Sequence, residues 1–220
     1  MPSEIGALVW TSWTIAVPAT ALAAVGAVGA AVWVSGRAEG KRLWDVAFTL
    51  PLALPPTAVG FGLLVVLGRL GPLGWLWEGL GLRLVFTPAA AVVAGAVAAF
   101  PLVYRAARAG LEGVPADLRE AARLYSPTRI QAFARVILPL AWKPIAAGTA
   151  LGLARALGEF GATLMVAGSL PGRTRTFPMA VYEAVQAGRD REAMVLVAVA
   201  TLTAAGLLVA ADFALSGRQR

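Results

Sequence analysis

The sequence predicts an all-α, polytopic membrane protein of about five transmembrane helices, and three observations carry that prediction. First, 59% of the residues are hydrophobic and only 14% are charged, where a soluble domain is nearer half apolar and a quarter charged. Mean hydropathy is +0.74. Second, five stretches reach the roughly 20 mostly apolar residues that a spanning helix needs. Third, the cations collect on alternate connections, as they do in multispan proteins. The same bias accounts for the net charge of +7 without a nucleic-acid partner. The whole chain, 1–220, reads as a single transmembrane domain.

The first span runs from about Leu8 to Val34. Glu4 and the lack of a basic cluster ahead of it predict a retained span rather than a cleaved leader. Ala19, Ala23, Ala27 and Ala31 recur at four-residue spacing. Such a row lets helix backbones approach closely, although an alanine-rich composition yields it by chance as readily. The second span, about Ala47 to Leu67, contains Pro51, Pro55 and Pro56 with Gly60 and Gly62. Proline removes a backbone donor and bends or breaks a helix. Broken helices persist at membrane depth only where protein or a water-filled cavity covers them. Pro55, Pro56 and Thr57 are therefore candidates to line a polar path, against the plainer reading of a proline kink. Leu70 to Leu84 is short and glycine-rich, and reads as an interfacial loop anchored by Trp75 and Trp77.

The third span runs from about Pro88 to Tyr104 and the fifth from about Ala193 to Leu215. The fourth, about Ile145 to Gly168, holds Arg155 and Glu159 on one helix face, with Thr163 one turn further along. Intramembrane charges pair and face the bundle interior. This pair either lines a translocation path or locks helices together.

With the N-terminus outside, the inner loops hold Arg37, Lys41, Arg42, Arg105, Arg108, Arg119, Arg123, Arg129, Arg135, Lys143, Arg218 and Arg220. The outer loops hold Arg69, Arg83, Arg173, Arg175, Arg189 and Arg191. The two-to-one bias predicts the N-terminus outside and the C-terminal SGRQR inside the cytoplasmic membrane. A cytoplasmic loop of about 107–143 and an extracytoplasmic loop of about 169–192 follow.

Cysteine and histidine are absent, which removes disulfides, thiol nucleophiles and the usual zinc ligands. The run GRAEGKR at Gly36–Arg42 fails as a phosphate loop. Only Arg37, Ala38 and Glu39 separate its glycines, and Arg42 replaces the required Ser or Thr. Hydrolase motifs are also missing. The sequence therefore predicts no catalytic residue, no metal site and no cofactor.

Between the third and fourth spans lies LREAARLYSPTRIQAFARVILPLA, Leu118 to Ala141. Ser126-Pro127 predicts that one helix ends near Tyr125 and another begins at Pro127 with Ser126 as its N-cap. Leu118, Ala122 and Tyr125 share a face of the first. Ile130, Phe133, Ala134 and Ile137 form the apolar stripe of the second, with Arg129 and Arg135 off it. Pro139 and Pro144 punctuate the approach to the fourth span. Glu120 stands near its helix start, where the dipole favours a carboxylate. Such a pair either lies on the bilayer surface or docks a soluble partner; the physics leaves both open.

Glu120-Ala121-Ala122, followed by Leu138-Pro139, resembles the cytoplasmic EAA motif of binding-protein-dependent ABC permeases. That motif reads E-A-A, three residues, G, nine residues, I, one residue, L-P. Here Ser126 replaces the glycine and Val136 the isoleucine. The resemblance implies the type I ABC importer permease fold. It also implies that Glu120, Ala121, Ala122, Ser126, Arg129, Phe133, Leu138 and Pro139 belong to the element that couples to the ATPase. LPLALPPTAVGFGLLVVLGRLGPLG, FPLVYRAARAGLEGV and RALGEFGATLMVAGSLPGRTRTFPMAVYEAVQAG resemble the molybdate permease subunit, with sulfate/thiosulfate permeases as relatives. The implied activity is ATP-driven import of molybdate, and of tungstate with it, by a subunit that is not itself an enzyme. The implied partners are a second copy, a cytoplasmic ATP-binding subunit dimer, an extracytoplasmic oxyanion-binding protein and membrane lipid. A sulfate, thiosulfate or other oxyanion permease is the alternative within the class. A non-transporting scaffold or sensor is the alternative outside it.

Overall fold

A computed structural model describes residues 2–37, 39–81 and 83–216, and all of its regular structure is helical. Arg218 and Arg220 of the C-terminal run lie outside the described residues. Three long helices form the centre: α1 (Pro2–Ser35), α5 (Pro88–Glu112) and α8 (Leu138–Leu157). α1 and α5 run parallel. Ile15 clusters with Ala90, Ala91 and Ala94, whereas Ala31 and Val34 cluster with Val103, Tyr104 and Ala107. The alanine row of α1 is their seam, with Ala19, Ala23, Ala27 and Ala31 all buried. α8 runs antiparallel to α5 along a glycine seam, Gly110 facing Ala141, Gly148 facing Ala106, and Gly152 facing Val103 and Ala99. A methyl group on Gly152 would come within 2.8 Å of Val103 Cγ2. Between apolar helices in lipid, close van der Waals packing replaces the hydrophobic drive, and small residues supply it here.

The second span is not continuous. Between α2 (Lys41–Ala53) and α3 (Pro56–Leu67) the helix direction bends by 109°. Leu54 and Pro55 are extended, with ψ of 144° and 135°. The rings of Pro55 and Pro56 push their predecessors out of helical geometry, and Pro56 restarts the helix where no donor is needed. The pair still crosses the bundle. Asp45 of α2 meets the C-terminal end of α5 at Tyr104 and Arg108, while Leu67 of α3 packs with Ala90 and Ala91 at its N-terminal end. Four helices are long and apolar enough to cross a membrane, and the bent pair brings the number to as many as five.

α6 (Ala116–Tyr125) ends as expected, but the next helix departs from the sequence prediction. α7 (Arg129–Ala132) starts two residues later than Pro127. Its cap is Thr128, whose Oγ1 accepts the Gln131 N–H at 3.2 Å; Ser126 instead ends α6. α7 then passes through a π-helical stretch, Phe133–Ile137, straight into α8. Arg129–Leu157 is one helix of 29 residues. Pro139 and Pro144 do not interrupt it. The last wide turn, with Leu138 N–H bonded to Phe133 O, precedes Pro139 and leaves room for its ring. The helix ends at Leu157 rather than Gly168, because the chain turns at Gly158 before α9 (Gly161–Ala167).

Within Leu70–Leu84 a short helix, α4 (Gly74–Gly79), leaves Trp75 exposed and packs Trp77 against the Ile15–Leu67–Ala90 cluster. The loop of about 169–192 contains helix of its own. α10 (Phe177–Gln186) seats Phe177, Ala180 and Ala184 on Leu8, Ala193 and Leu196, and α11 begins at Asp190. α11 (Asp190–Ser216) exposes Met194, Val197, Leu202, Val209 and Phe213.

Candidate translocation path and coupling segment

The two helix breaks meet. A Cβ on Gly161 would lie 3.0 Å from Pro56 Cβ and 3.3 Å from the Thr57 nitrogen. Beyond the breaks α3 and α9 run in close contact. A Cβ on Gly60 would come within 2.7 Å of the Ala162 Cα, so only glycine permits this approach. Pro55, Pro56 and Thr57 are exposed at this junction. Arg155 Nη1 lies 2.6 Å from Glu159 Oε2, with the arginine side chain 33% exposed and the glutamate 2%. Glu159 sits in the α8–α9 break, and its other oxygen accepts the Ala162 N–H at 2.8 Å. One carboxylate therefore neutralises an intramembrane cation and caps the second half-helix. Thr163 does not continue their face, because the helix has already ended; it is buried within α9. Arg155 and Glu159 do pair, but across a helix break rather than on the one uninterrupted helix that the sequence predicts.

The residues that the EAA resemblance assigns to coupling lie at the opposite end of α8. Glu120 is exposed on α6, five residues into the helix, so Asp117 rather than Glu120 occupies the first turn. Ala122 is buried, Ala121, Ser126 and Leu138 are half-buried, and Arg129 and Pro139 are exposed. Phe133 and Ile137 pack against the chain's own core beside Val103, Tyr104 and Ala107. Ile130 and Ala134, assigned to the same stripe, are exposed. The exposed large apolar side chains of the segment are Leu118, Leu124, Tyr125, Ile130 and Leu140, of which Leu124, Tyr125 and Ile130 are the most open.

A polar cluster escaped the sequence reading. Arg108, assigned there to a loop, is buried on α5. Its Nε donates to Asp45 Oδ1 at 3.1 Å, Nη1 donates to Ser35 Oγ at 2.8 Å, and Nη2 lies 2.8 Å from Glu112 Oε1. Tyr104 OH donates to the same Asp45 oxygen at 2.5 Å. One guanidinium thus ties the ends of α1, α2 and α5 together. The signal was present as Tyr104, Arg108 and Glu112 at four-residue spacing, and as Asp45, the one carboxylate in Lys41–Ala53.

Known proteins place this architecture. YvgM of Bacillus subtilis (strain 168), named for molybdenum transport, is 43% identical over 167 residues, 73% of this chain and 72% of its own. The molybdenum transport system permease protein ModB of Escherichia coli (strain K12) is 41% identical over 187 residues, 82% of this chain and 80% of its own. A chain of the methionine ABC transporter MetNI, in an inward-facing conformation, shares the fold. Its TM-score is 0.79 at 17% identity, covering 100% of this chain and 98% of that one. The model of binding-protein-dependent transport system inner membrane components matches residues 23–216, and the chain belongs to that family.

Proposed function

We propose that this chain is the membrane subunit of an ATP-driven importer that carries molybdate, and tungstate with it, across the cytoplasmic membrane. The observation that carries this reading is 41% and 43% identity, over most of the chain, to two relatives named for molybdenum transport. The working unit is two copies of the chain enclosing a path, two ATP-binding subunits on the coupling segments, and an oxyanion-binding protein at the α10 end. The N-terminus faces outside and the coupling segments face the cytoplasm, as the cation bias requires. Glu120, with the exposed Leu124, Tyr125 and Ile130, forms the docking surface. ATP binding draws the two segments together, α8 moves with them, and the paired breaks shift.

Pro55, Pro56, Thr57 and Arg155 line the path, while Glu159 and Thr163 hold its wall. An unpaired arginine in a low-dielectric passage would trap a dianion. Pairing with Glu159 softens the attraction, so that the anion is passed on. The test is uptake of radiolabelled molybdate into proteoliposomes holding the chain, its ATPase subunits and its binding protein. Uptake that requires internal ATP and is competed by tungstate but not by sulfate is expected. Equal competition by sulfate would widen the substrate to tetrahedral oxyanions. Failure to co-purify any nucleotide-hydrolysing subunit would favour the scaffold.

A further inference from the structure

We propose that the face between α1 and α2 is a binding site for an anionic phospholipid, with an acyl chain in an apolar groove and the phosphate on a cation–aromatic cluster at its mouth. The groove, about 380 Å³, lies between α1, the last turns of α2 and α5, and is walled by Leu22, Gly26, Phe48, Pro51, Val97 and Phe100. At Gly26 the groove has room to spare, since a Cβ there would meet only the Phe100 ring, at an ordinary contact of 3.5 Å. Exposed Val25, Val46 and Leu50 flank it.

At its mouth, the turn from α1 into α2 gathers Arg37, Lys41 and Arg42. None of the three makes an ion pair among the described residues. Glu39 is the one carboxylate between Gly36 and Arg42, and the next, Asp45, is already held by Arg108 and Tyr104. The cluster is therefore net positive. The Arg37 guanidinium carbon lies 3.8 Å from the Trp33 ring centroid and 5.6 Å from that of Trp44. Stacking fixes the guanidinium plane and leaves N–H groups at its edge for phosphate oxygens. Trp33 meets Trp44 at 4.9 Å, Trp44 stacks on Phe48 at 5.8 Å, and Phe48 is itself a wall of the groove. Cations and groove are thus the two ends of one continuous surface.

A soluble anion would occupy only the cations, and a neutral lipid only the groove. A lipid carrying net negative charge uses both. The position fits as well, because tryptophan and basic side chains at a span's end sit at headgroup level. Each basic residue near the surface strengthens binding of anionic lipid by about fivefold. The site is distinct from the Arg155–Glu159 path.

The full-length protein, purified in detergent, is equilibrated with equimolar phosphatidylglycerol and phosphatidylcholine, and retained lipid is counted by native mass spectrometry. Preferential retention of phosphatidylglycerol is expected. Arg37→Ala/Lys41→Ala should erase the preference, lowering phosphatidylglycerol retention by about 25-fold. Gly26→Leu should lower retention of both lipids, and Arg83→Ala in the outer loop should change neither. Equal retention of the two lipids by the unmodified protein overturns the proposal, as does a preference insensitive to both site variants. Ala47→Cys, in a chain with no cysteine of its own, supplies an independent arm. Oxidative formation of a covalent dimer through position 47 would show a second copy in the groove and exclude the lipid.

Discussion

Replacing Glu159 separates the two tasks of its carboxylate, the salt bridge to Arg155 at 2.6 Å and the bond from Ala162 N–H at 2.8 Å. Glutamine keeps an acceptor for the N–H and loses the charge; alanine loses both. Removing one member of a buried ion pair costs about 3–5 kcal/mol. Arg155 retains a third of its exposure, so the lower end applies, about 3 kcal/mol for Glu159→Ala. About 1 kcal/mol of that is the lost cap, which leaves about 2 kcal/mol for Glu159→Gln. Arg155→Met strands the more deeply buried partner and should cost about 3 kcal/mol. The double variant Arg155→Met/Glu159→Gln contains no charge. It should cost about 2 kcal/mol rather than the sum of about 5, a coupling near 3 kcal/mol. Equilibrium unfolding of the four proteins in mixed micelles, followed by helical circular dichroism, measures the cycle. Additivity to within about 0.5 kcal/mol would refute the reasoning, because uncoupled residues behave that way.

Gly60→Val should lower the melting temperature through overpacking of about 1–3 kcal/mol against Ala162, while Gly62→Val, which meets nothing within 4 Å, should not. Thr128→Ala should cost about 1 kcal/mol and Ser126→Ala less than half as much, if unfolding reads the cap that α7 has. Arg108→Met should release α2, seen as faster thiol labelling of Thr49→Cys, because Asp45 and Ser35 lose their shared donor. Glu120→Lys and Ile130→Ala should insert and assemble normally yet lose ATP-driven uptake. Unimpaired uptake by both would assign the segment to the bilayer surface.

The spans were legible because length and apolarity are properties of composition, and an α-helix is what an apolar backbone forms in lipid. The break at Pro55-Pro56 was legible for a covalent reason, the missing donor and the clashing ring. The break at Gly158 was not. The run LGEFGATLMVAG is apolar apart from Glu159 and Thr163 and contains no proline, and the interruption is held by a tertiary feature, Glu159 bonding to both sides of it. The stripe through Phe133 failed for a different reason. A π stretch holds more residues per turn than an α-helix, so faces extrapolated from 3.6-residue periodicity drift out of register across it. Arg108 was hidden by the assumption that cations near a span's end belong to loops; the carboxylate that buries it, Asp45, is distant in sequence.

The unbroken helix from Arg129 to Leu157 has a mechanical consequence. At 1.5 Å per residue, Arg129 and Arg155 are about 39 Å apart along one continuous helix. Pivoted at the end proposed to dock the ATPase, a tilt of about 10° sweeps the far end sideways by about 7 Å, more than the 5.4 Å pitch of a helical turn. Such a lever needs no relay of local rearrangements. The stroke at the membrane's far side is set by rod length and angle, so inserting a flexible residue pair near Gly148 should shorten it while leaving both ends chemically intact.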